Sequence, residues 1–306
     1  MQRRRLGSQG PEISVIGFGA WEAGGGVWGP NESDRQVIDA IHAGLEAGID
    51  WIDTAEVYGS GESERIVGLA IEGRRDDLTI ATKVGPAPDG TGFAPDQVAA
   101  ACDASLARLG IERIDLYQLH WPDETGVPLE DTWGAMAALV DAGKVGAIGV
   151  SNFDRAMIET CEAIRHVDSL QQEFSMLHLD DRELIRWCGE QGTVVVSYSP
   201  LAVGMLTGRF DRAAAESVED WRRDDEEGPF HASRLDASLA LVDRLRPIAD
   251  RLGCTLAQLT LAWNHAQPGV TSAIAGSRNG ANTRANAAAG DIRLGDDALA
   301  EIDALL

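Results

Sequence analysis

The chain has 306 residues, 44% of them hydrophobic, enough for one barrel domain or two smaller ones. No apolar stretch approaches the ~18 residues needed to span a bilayer as a helix. Its 49 acidic and 26 basic residues leave a formal net charge of −23, with no basic block beyond Arg3-Arg4-Arg5, so the summed field repels nucleic acid and anionic membrane surfaces.

From the amino end, Met1-Gln2-Arg3-Arg4-Arg5 is shaped like the start of a signal peptide. Gly7, Ser8, Gln9, Gly10, Pro11 and Glu12 follow in place of an apolar core, and a cytoplasmic protein is expected. Arg3-Arg4-Arg5-Leu6 and Glu12-Ile13-Ser14, joined through Gly7 and Gly10, predict a β-hairpin that would plug the bottom of a barrel. A strand then ends near Phe18. Its Gly17-Phe18-Gly19 opens like a dinucleotide-binding fingerprint, but Glu22 stands where the third glycine is required, so that pattern fails. Trp21 to Pro30, with Trp28 after a run of glycines, sets aromatic rings on a flexible backbone and suits a pocket wall.

Beyond this point short apolar runs alternate with amphipathic patterns. Helical periodicity covers Asp34 to Ala47, Pro95 to Leu109, Asp131 to Ala142 and Asp154 to Arg165. Strands are expected to end near Phe18, Asp53, Lys83, His120, Val150, Gln172, Tyr198 and Ala275. Eight strand–helix units in a chain of this length predict an α/β fold, a (β/α)8 TIM barrel with an N-terminal β-hairpin and extra C-terminal helices, one of them near Ser233 to Leu252. No Pro- or Ser-rich linker divides the chain, and residues 1–306 are expected to form one domain. The charged run Glu219 to Glu227, inside the 205–233 segment, reads either as part of a lid or as a disordered insertion. Cys102, Cys161, Cys188 and Cys254 lie far apart in helix-like segments and read as reduced structural thiols.

Only two of the basic residues are lysines, Lys83 and Lys144. Lys83 closes the apolar run Leu78-Thr79-Ile80-Ala81-Thr82, which puts an ammonium at the carboxyl end of a strand. Arginine cannot lose its proton, whereas the pKa of a lysine is tuned by its neighbours, so a lysine kept in an arginine-rich chain suggests chemistry. Three more reactive groups reach the same rim: Asp53 after Trp51-Ile52, Tyr58 after a further turn, and His120 after Ile114 to Leu119. Taken singly, Asp53 also reads as a helix cap, Tyr58 as a loop anchor, His120 as a core histidine and Lys83 as a snorkelling strand end. Lys144 opens the fifth strand, at the structural end of the barrel, and has no catalytic role here. The sequence has no phosphate loop, no Gly-x-Ser-x-Gly, no His-Glu-x-x-His, and no His-x-His on its first strand, so nothing in it calls for a metal.

Gly44 to Gly59, containing Asp50-Trp51-Ile52-Asp53-Thr54-Ala55-Glu56-Val57-Tyr58, resembles the first signature of the aldo-keto reductases. Leu119-His120-Trp121-Pro122-Asp123 is similar to that family's histidine segment, and Gly143 to Phe153 to its fifth-strand motif. The likeness runs over essentially the whole chain. It implies a catalytic tetrad of Asp53, Tyr58, Lys83 and His120, with NADPH extended over the barrel mouth and a small-molecule carbonyl as substrate. The chemistry agrees: a carbonyl needs a hydride at carbon and a proton at oxygen, where charge develops. Tyr58, with an ordinary pKa of ~10, would give the proton, Lys83 would lower that pKa, Asp53 would fix the ammonium, and a neutral His120 would orient the oxygen.

The resemblance also implies cofactor residues. Ser151, Asn152 and Gln172 correspond to a carboxamide-binding group and Tyr198 to a ring stacked on the nicotinamide. Ser199, Leu201, Gly204 and Thr207 correspond to a pyrophosphate loop. Gly276, Ser277 and Arg278 enter a helix whose amino end favours a phosphate, with Arg278 gripping the 2′-phosphate, and Asn282 and Asn286 follow. Ala285 replaces a carboxylate common in the family. Trp21, Trp28 and Trp121, together with Tyr58 and Trp221, are expected to shape the substrate pocket. The resemblance leaves room for a second role, a nucleotide-binding regulator like the potassium-channel β subunits.

Overall fold

The computed structural model describes residues 1–6, 10–85 and 92–306. Strands β1 (Arg3–Arg5) and β2 (Glu12–Ser14) pair antiparallel as a two-stranded ribbon, while the connection through Gly7 lies outside the described residues. Eight further strands follow: β3 (Ile16–Gly19), β4 (Trp51–Asp53), β5 (Thr79–Val84), β6 (Ile114–Leu119), β7 (Val145–Ser151), β8 (Ser169–Glu173), β9 (Val194–Tyr198) and β10 (Val270–Gly276). They close into one parallel barrel in the order β10-β3-β4-β5-β6-β7-β8-β9. The expected TIM barrel with its hairpin is therefore present, and each strand end falls within one residue of its expected position.

The strands are short and buried on both faces, as a parallel sheet covered by helices requires. Trp51, Ala81, Leu116, Val196 and Ile274 pack together inside the barrel, where Leu6 and Ile13 of the hairpin segment join them as its floor. Trp51 is the largest of these side chains, and its indole N–H donates to the Ser14 carbonyl at 3.0 Å and to Ser272 Oγ at 3.1 Å. Gly17 makes room for it, since a Cβ there would lie 2.2 Å from the Trp51 ring. The first of the two glycines in Gly17-Phe18-Gly19 thus serves barrel packing rather than a phosphate.

Outside lie α1 (Asp34–Glu46), α2 (Glu62–Ile71), α3 (Pro95–Leu109), α4 (Leu129–Asp141), α5 (Arg155–Glu162) and α6 (Arg182–Gln191). After β9 come the short α7 (Arg212–Glu216) and α8 (Trp221–Asp224), then α9 (Leu235–Leu252) and α10 (Leu256–Ala266). α11 (Gly280–Ala288) and α12 (Asp296–Asp303) end the chain. Local chemistry sets several boundaries. Ser33 caps α1 by accepting from the Gln36 N–H, and Pro95 opens α3, which Gly110 closes in the left-handed conformation. α5 stops three residues before its expected end. The charged 219–227 run is folded around α8, capped by Asp220, rather than a bare insertion. The thiols are free, and burial pushes Cys102 up to about 11 and Cys161 and Cys188 up to about 12. Cys254 is the exception to the helical placement, sitting in the turn between α9 and α10. Lys144 precedes β7 at the amino-terminal face of the barrel and pairs with Asp103 on α3, away from the rim.

Candidate active site

The carboxyl ends of β4, β5 and β6 bring the four expected side chains together. Lys83 Nζ, fully buried, donates to Asp53 Oδ1 at 2.5 Å, to the Thr54 carbonyl at 3.0 Å and to the Tyr58 hydroxyl at 3.4 Å. The hydroxyl in turn lies 3.5 Å from His120 Nε2. Tyr58 is held over the barrel by a turn after β4: its N–H donates to the Ala55 carbonyl, and the Ser63 N–H donates to its own carbonyl. Gly59 adopts φ 62°, and a Cβ there would meet the Gly24 carbonyl at 2.2 Å, so the Tyr58 loop and the aromatic loop pack backbone to backbone.

Burial dominates the electrostatics. It would push the Lys83 ammonium down, but Asp53 and Tyr58 together outweigh it and hold the group above the ordinary lysine range. Burial raises the Tyr58 phenol; Lys83 opposes this, Asp53 reinforces it, and the net shift is upward. Lys83 thus lowers this pKa as expected, but the ammonium offsets only part of the burial cost and does not reverse the net shift. Burial and the Lys83 charge both hold His120 well below its ordinary value, so it is neutral at physiological pH. Its ring stacks on Trp121, with centroids 3.7 Å apart.

A consequence for stability follows from His120. Below pH ~6.5 an unfolded histidine binds a proton that the buried ring refuses, so acid favours the unfolded chain by up to about 1.4 kcal/mol per pH unit. The urea midpoint of wild type is expected to fall more steeply between pH ~7 and ~5.5 than that of His120→Gln. Parallel losses in the two proteins would remove His120 as the group responsible.

The tetrad lies against a cavity of ≈ 960 Å³ at the barrel mouth. Trp21, Trp28 and Trp121 line it as expected, and Trp221 packs against the first two at 5.5 and 5.4 Å between centroids. Next to Trp221, Arg222 is held by Asp220 and lies 5.6 Å over Trp28 and 5.0 Å over Phe230. It donates to the Val203 carbonyl at 3.2 Å, which ties this segment to the loop after β9. Ser151, Asn152, Tyr198, Ser199, Leu201, Gly204 and Thr207 line the same cavity, as do Gly276, Ser277, Asn282 and Asn286. The Tyr198 hydroxyl donates to Asn152 Oδ1 at 2.8 Å, fixing the amide so that its Nδ2 faces the His120 carbonyl at 3.1 Å.

Two expected residues are elsewhere. Gln172 is replaced by Gln171, which lines the cavity and donates to Asp53 Oδ2 at 2.9 Å. Successive strand residues face opposite sides, and Gln171 pairs in register with inward-facing Val196, so Gln172 points outward, donating to Asp181. Arg278 does not line the cavity. Its guanidinium donates to the carbonyls of Trp28, Gly29 and Pro30 at 2.9–3.1 Å and faces Glu22 at 3.6 Å, so it braces the aromatic loop. The arginine on the cavity wall beside Asn282 is Arg209, whose Nη2 lies 3.3 Å from Asn282 Oδ1. Nothing in the residues around Arg209 marked it. Gln171, by contrast, was open to a period-two count from Leu170, which packs outward.

Among the described residues no group of three or more His, Cys, Asp or Glu side chains is placed to hold a metal ion. No described helix is long and apolar enough to cross a membrane.

The aldo/keto reductase family profile matches residues 15–306. An aldo-keto reductase of Bacillus subtilis is 34% identical over 286 residues, covering 91% of this chain and 85% of that protein. A probable voltage-gated potassium channel β subunit of Arabidopsis thaliana is 32% identical over 307 residues, covering 95% and 92%. Among solved structures, a glycerol dehydrogenase of Gluconobacter oxydans superposes with TM-score 0.88 at 28% identity, covering 99% of this chain and 94% of that one. An aldo-keto reductase of Klebsiella pneumoniae in complex with NADPH gives 0.76 at 30%, covering 100% and 95%. With the barrel, the hairpin floor and the Asp53–Lys83–Tyr58–His120 cluster in place, the conclusion is that this chain belongs to the aldo/keto reductase family.

Proposed function

We propose that the protein, as a single domain of residues 1–306, is an NADPH-dependent reductase that converts an aldehyde, ketone or sugar-like carbonyl to the alcohol with Tyr58 as general acid. The observation that carries this reading is the Tyr58 hydroxyl standing between a buried ammonium at 3.4 Å and a neutral imidazole at 3.5 Å, at the side of an aromatic-walled cavity. When bound, the nicotinamide supplies the hydride. The residues suit it: the Tyr198 ring, the amides of Asn152 and Gln171, and Ser151 offer a stacking face with both donors and acceptors. Gly276 lies so close to the backbone of β3 that a Cβ there would sit 2.5 Å from the Gly19 carbonyl.

In this reading Tyr58 donates its proton to the carbonyl oxygen as negative charge develops there. Lys83 then stabilises the phenolate, and Asp53, held from its other side by Gln171, keeps the ammonium in place. His120, being neutral, orients the oxygen without adding charge. Trp21, Trp28 and Trp121 present the faces against which the rest of the substrate packs. A cytoplasmic setting belongs to the same proposal, because reduced thiols and NADPH coexist there.

Turnover of a panel of aldehydes and ketones with NADPH tests the reading. Saturable NADPH binding without turnover of any of them would instead favour the regulatory role suggested by the 32% identity to the plant channel subunit.

Cofactor choice gives a further prediction. Arg209 stands where it can meet a 2′-phosphate, and a charge-assisted hydrogen bond contributes ~1.5–3 kcal/mol, so Arg209→Ala should weaken NADPH by about 10- to 100-fold and scarcely change NADH. Arg278→Ala should instead act on both cofactors alike and raise substrate KM, because it frees the aromatic loop. Fluorescence titrations with the two cofactors separate the cases, and a selective loss of NADPH in Arg278→Ala would return that role to Arg278.

A further inference from the structure

Behind the tetrad, between β5 and the helices α2 and α3, lies a second charged cluster whose side chains are absent from the cavity wall. Its centre is Arg108, in the last turn of α3. Nε donates to Glu64 Oε2 at 2.6 Å, while Nη2 donates to Ser105 Oγ at 3.2 Å and faces Glu56 Oε2 at 3.7 Å. Glu64, in the first turn of α2, is fully buried and accepts a second hydrogen bond from Thr82 Oγ1 at 2.6 Å. Glu56 accepts from the Gly85 N–H at 2.9 Å, and its own N–H donates to the Lys83 carbonyl at 3.3 Å.

Each of these contacts ends on a segment that carries the tetrad. Thr82 directly precedes Lys83, and Glu56 and Glu64 stand on either side of Tyr58 in the chain. One guanidinium therefore grips the Tyr58 turn at both ends. Its stem also supports the middle: Gly61 adopts φ 93°, and a Cβ there would lie 2.5 Å from Arg108 Cδ. On the other side Gly59 rests on the Gly24 backbone, so the turn is clamped between α3 and the aromatic loop.

The clamp is also electrostatic. Among the described residues Glu56 faces Glu64 from α2, Arg108 from α3 and the Tyr117 phenol from β6, with Cys102 of α3 beyond. Burial raises the Glu56 carboxyl and Glu64 raises it further, against the Gly85 N–H and Arg108. Without the guanidinium two partly or fully buried carboxylates would repel each other across the turn.

We propose that Arg108 is a positioning residue for Tyr58: by joining Glu56 to Glu64 it fixes the turn that carries the phenol, and so sets the rate of proton transfer without touching substrate or cofactor. This rests on the reading of Tyr58 as general acid. A misplacement of about 1 Å at a reacting group costs a rate up to ~100-fold, so a slack turn is felt in kcat before it is felt in binding.

Steady-state kinetics with NADPH titrations test the role. Arg108→Met should lower kcat by about 10-fold at pH ~7.5 and leave NADPH affinity within about 2-fold. As pH falls from ~8 to ~6 one of the two unpaired carboxyls takes up a proton and the repulsion lapses, so kcat of the variant should rise while that of wild type stays flat. Arg108→Met/Glu56→Gln, which removes the second charge but keeps an acceptor for Gly85, should recover most of the loss at pH ~7.5. In a Tyr58→Phe background Arg108→Met should change the residual rate by less than about 2-fold. Should Arg108→Met fail to fold, Glu56→Ala decides, with the same selective loss of kcat and the same silence in the Tyr58→Phe background. A loss of kcat that is equal at every pH and not rescued by Glu56→Gln, or equal losses with and without the Tyr58 hydroxyl, overturns the positioning role alone. Wild-type turnover by Tyr58→Phe overturns the general-acid reading, and the positioning role with it.

Discussion

Tyr58→Phe is expected to lower kcat by ~100-fold or more while leaving NADPH affinity nearly unchanged. The substitution removes one oxygen, the atom between Lys83 Nζ and His120 Nε2, and leaves the ring packed near Trp21 at 6.3 Å between centroids. Burial holds the phenol above its ordinary range, so Tyr58 is fully protonated at neutral pH and primed to act as an acid. The wild-type reduction rate should accordingly be flat through neutrality, as far as this residue governs it, and decline only above pH ~10, where the proton is lost. A variant that turns over like wild type would remove Tyr58 from the mechanism. A phenylalanine enzyme with the same rate and a large loss of NADPH affinity would make the residue part of the cofactor site instead.

Lys83→Arg is expected to be nearly as damaging to kcat even though the charge is kept. The ammonium is fully buried and donates to three oxygens from different directions, Asp53 Oδ1, the Thr54 carbonyl and the Tyr58 hydroxyl. A planar fork cannot reproduce that geometry, and the additional atoms overpack a closed site at a cost of about 1–3 kcal/mol. Circular dichroism should still report a folded barrel, with a lowered melting temperature. Lys83→Met should be the less stable of the two, because it leaves Asp53 buried with Gln171 as its remaining side-chain donor, and breaking a buried pair this way costs ~3–5 kcal/mol. If the arginine enzyme works at close to the wild-type rate, positive charge alone suffices and the shape of the lysine is irrelevant.

The barrel was legible because its strands are short apolar runs ending in polar groups, and the tetrad because Asp53, Lys83 and His120 sit at or beside strand ends and Tyr58 one turn beyond, where the fold delivers them to one rim. What escaped depends on half a turn or on competition between partners. On β8 two glutamines adjoin, and their place after outward-packing Leu170, with their pairing opposite Val196 and Ser197, decides which one faces inward. Arg278 stands at the expected position after β10, but three carbonyls of a distant loop, some 250 residues earlier, claim its guanidinium. Arg209 is one arginine among 24, and its place on the cavity wall follows from how the segment after β9 folds back toward α11. The direction of the Tyr58 shift likewise needed three dimensions, since it is a contest between depth of burial and one nearby ammonium.

The scarcity of lysine and the depth of the thiols have a chemical consequence for a protein proposed to handle carbonyl compounds. Aldehydes condense with neutral amines and add to thiolates, and a catalyst exposed to them is slowly modified by its own substrates. Here Lys83 is buried and kept charged, and Lys144 is paired with Asp103. Cys102, Cys161 and Cys188 are sealed in the core as protonated thiols, burial also raises the pKa of the half-buried Cys254, and the guanidinium groups that carry the remaining basic charge are poor nucleophiles. The surface therefore offers an electrophile little to react with, a form of chemical self-protection written into the choice of arginine over lysine.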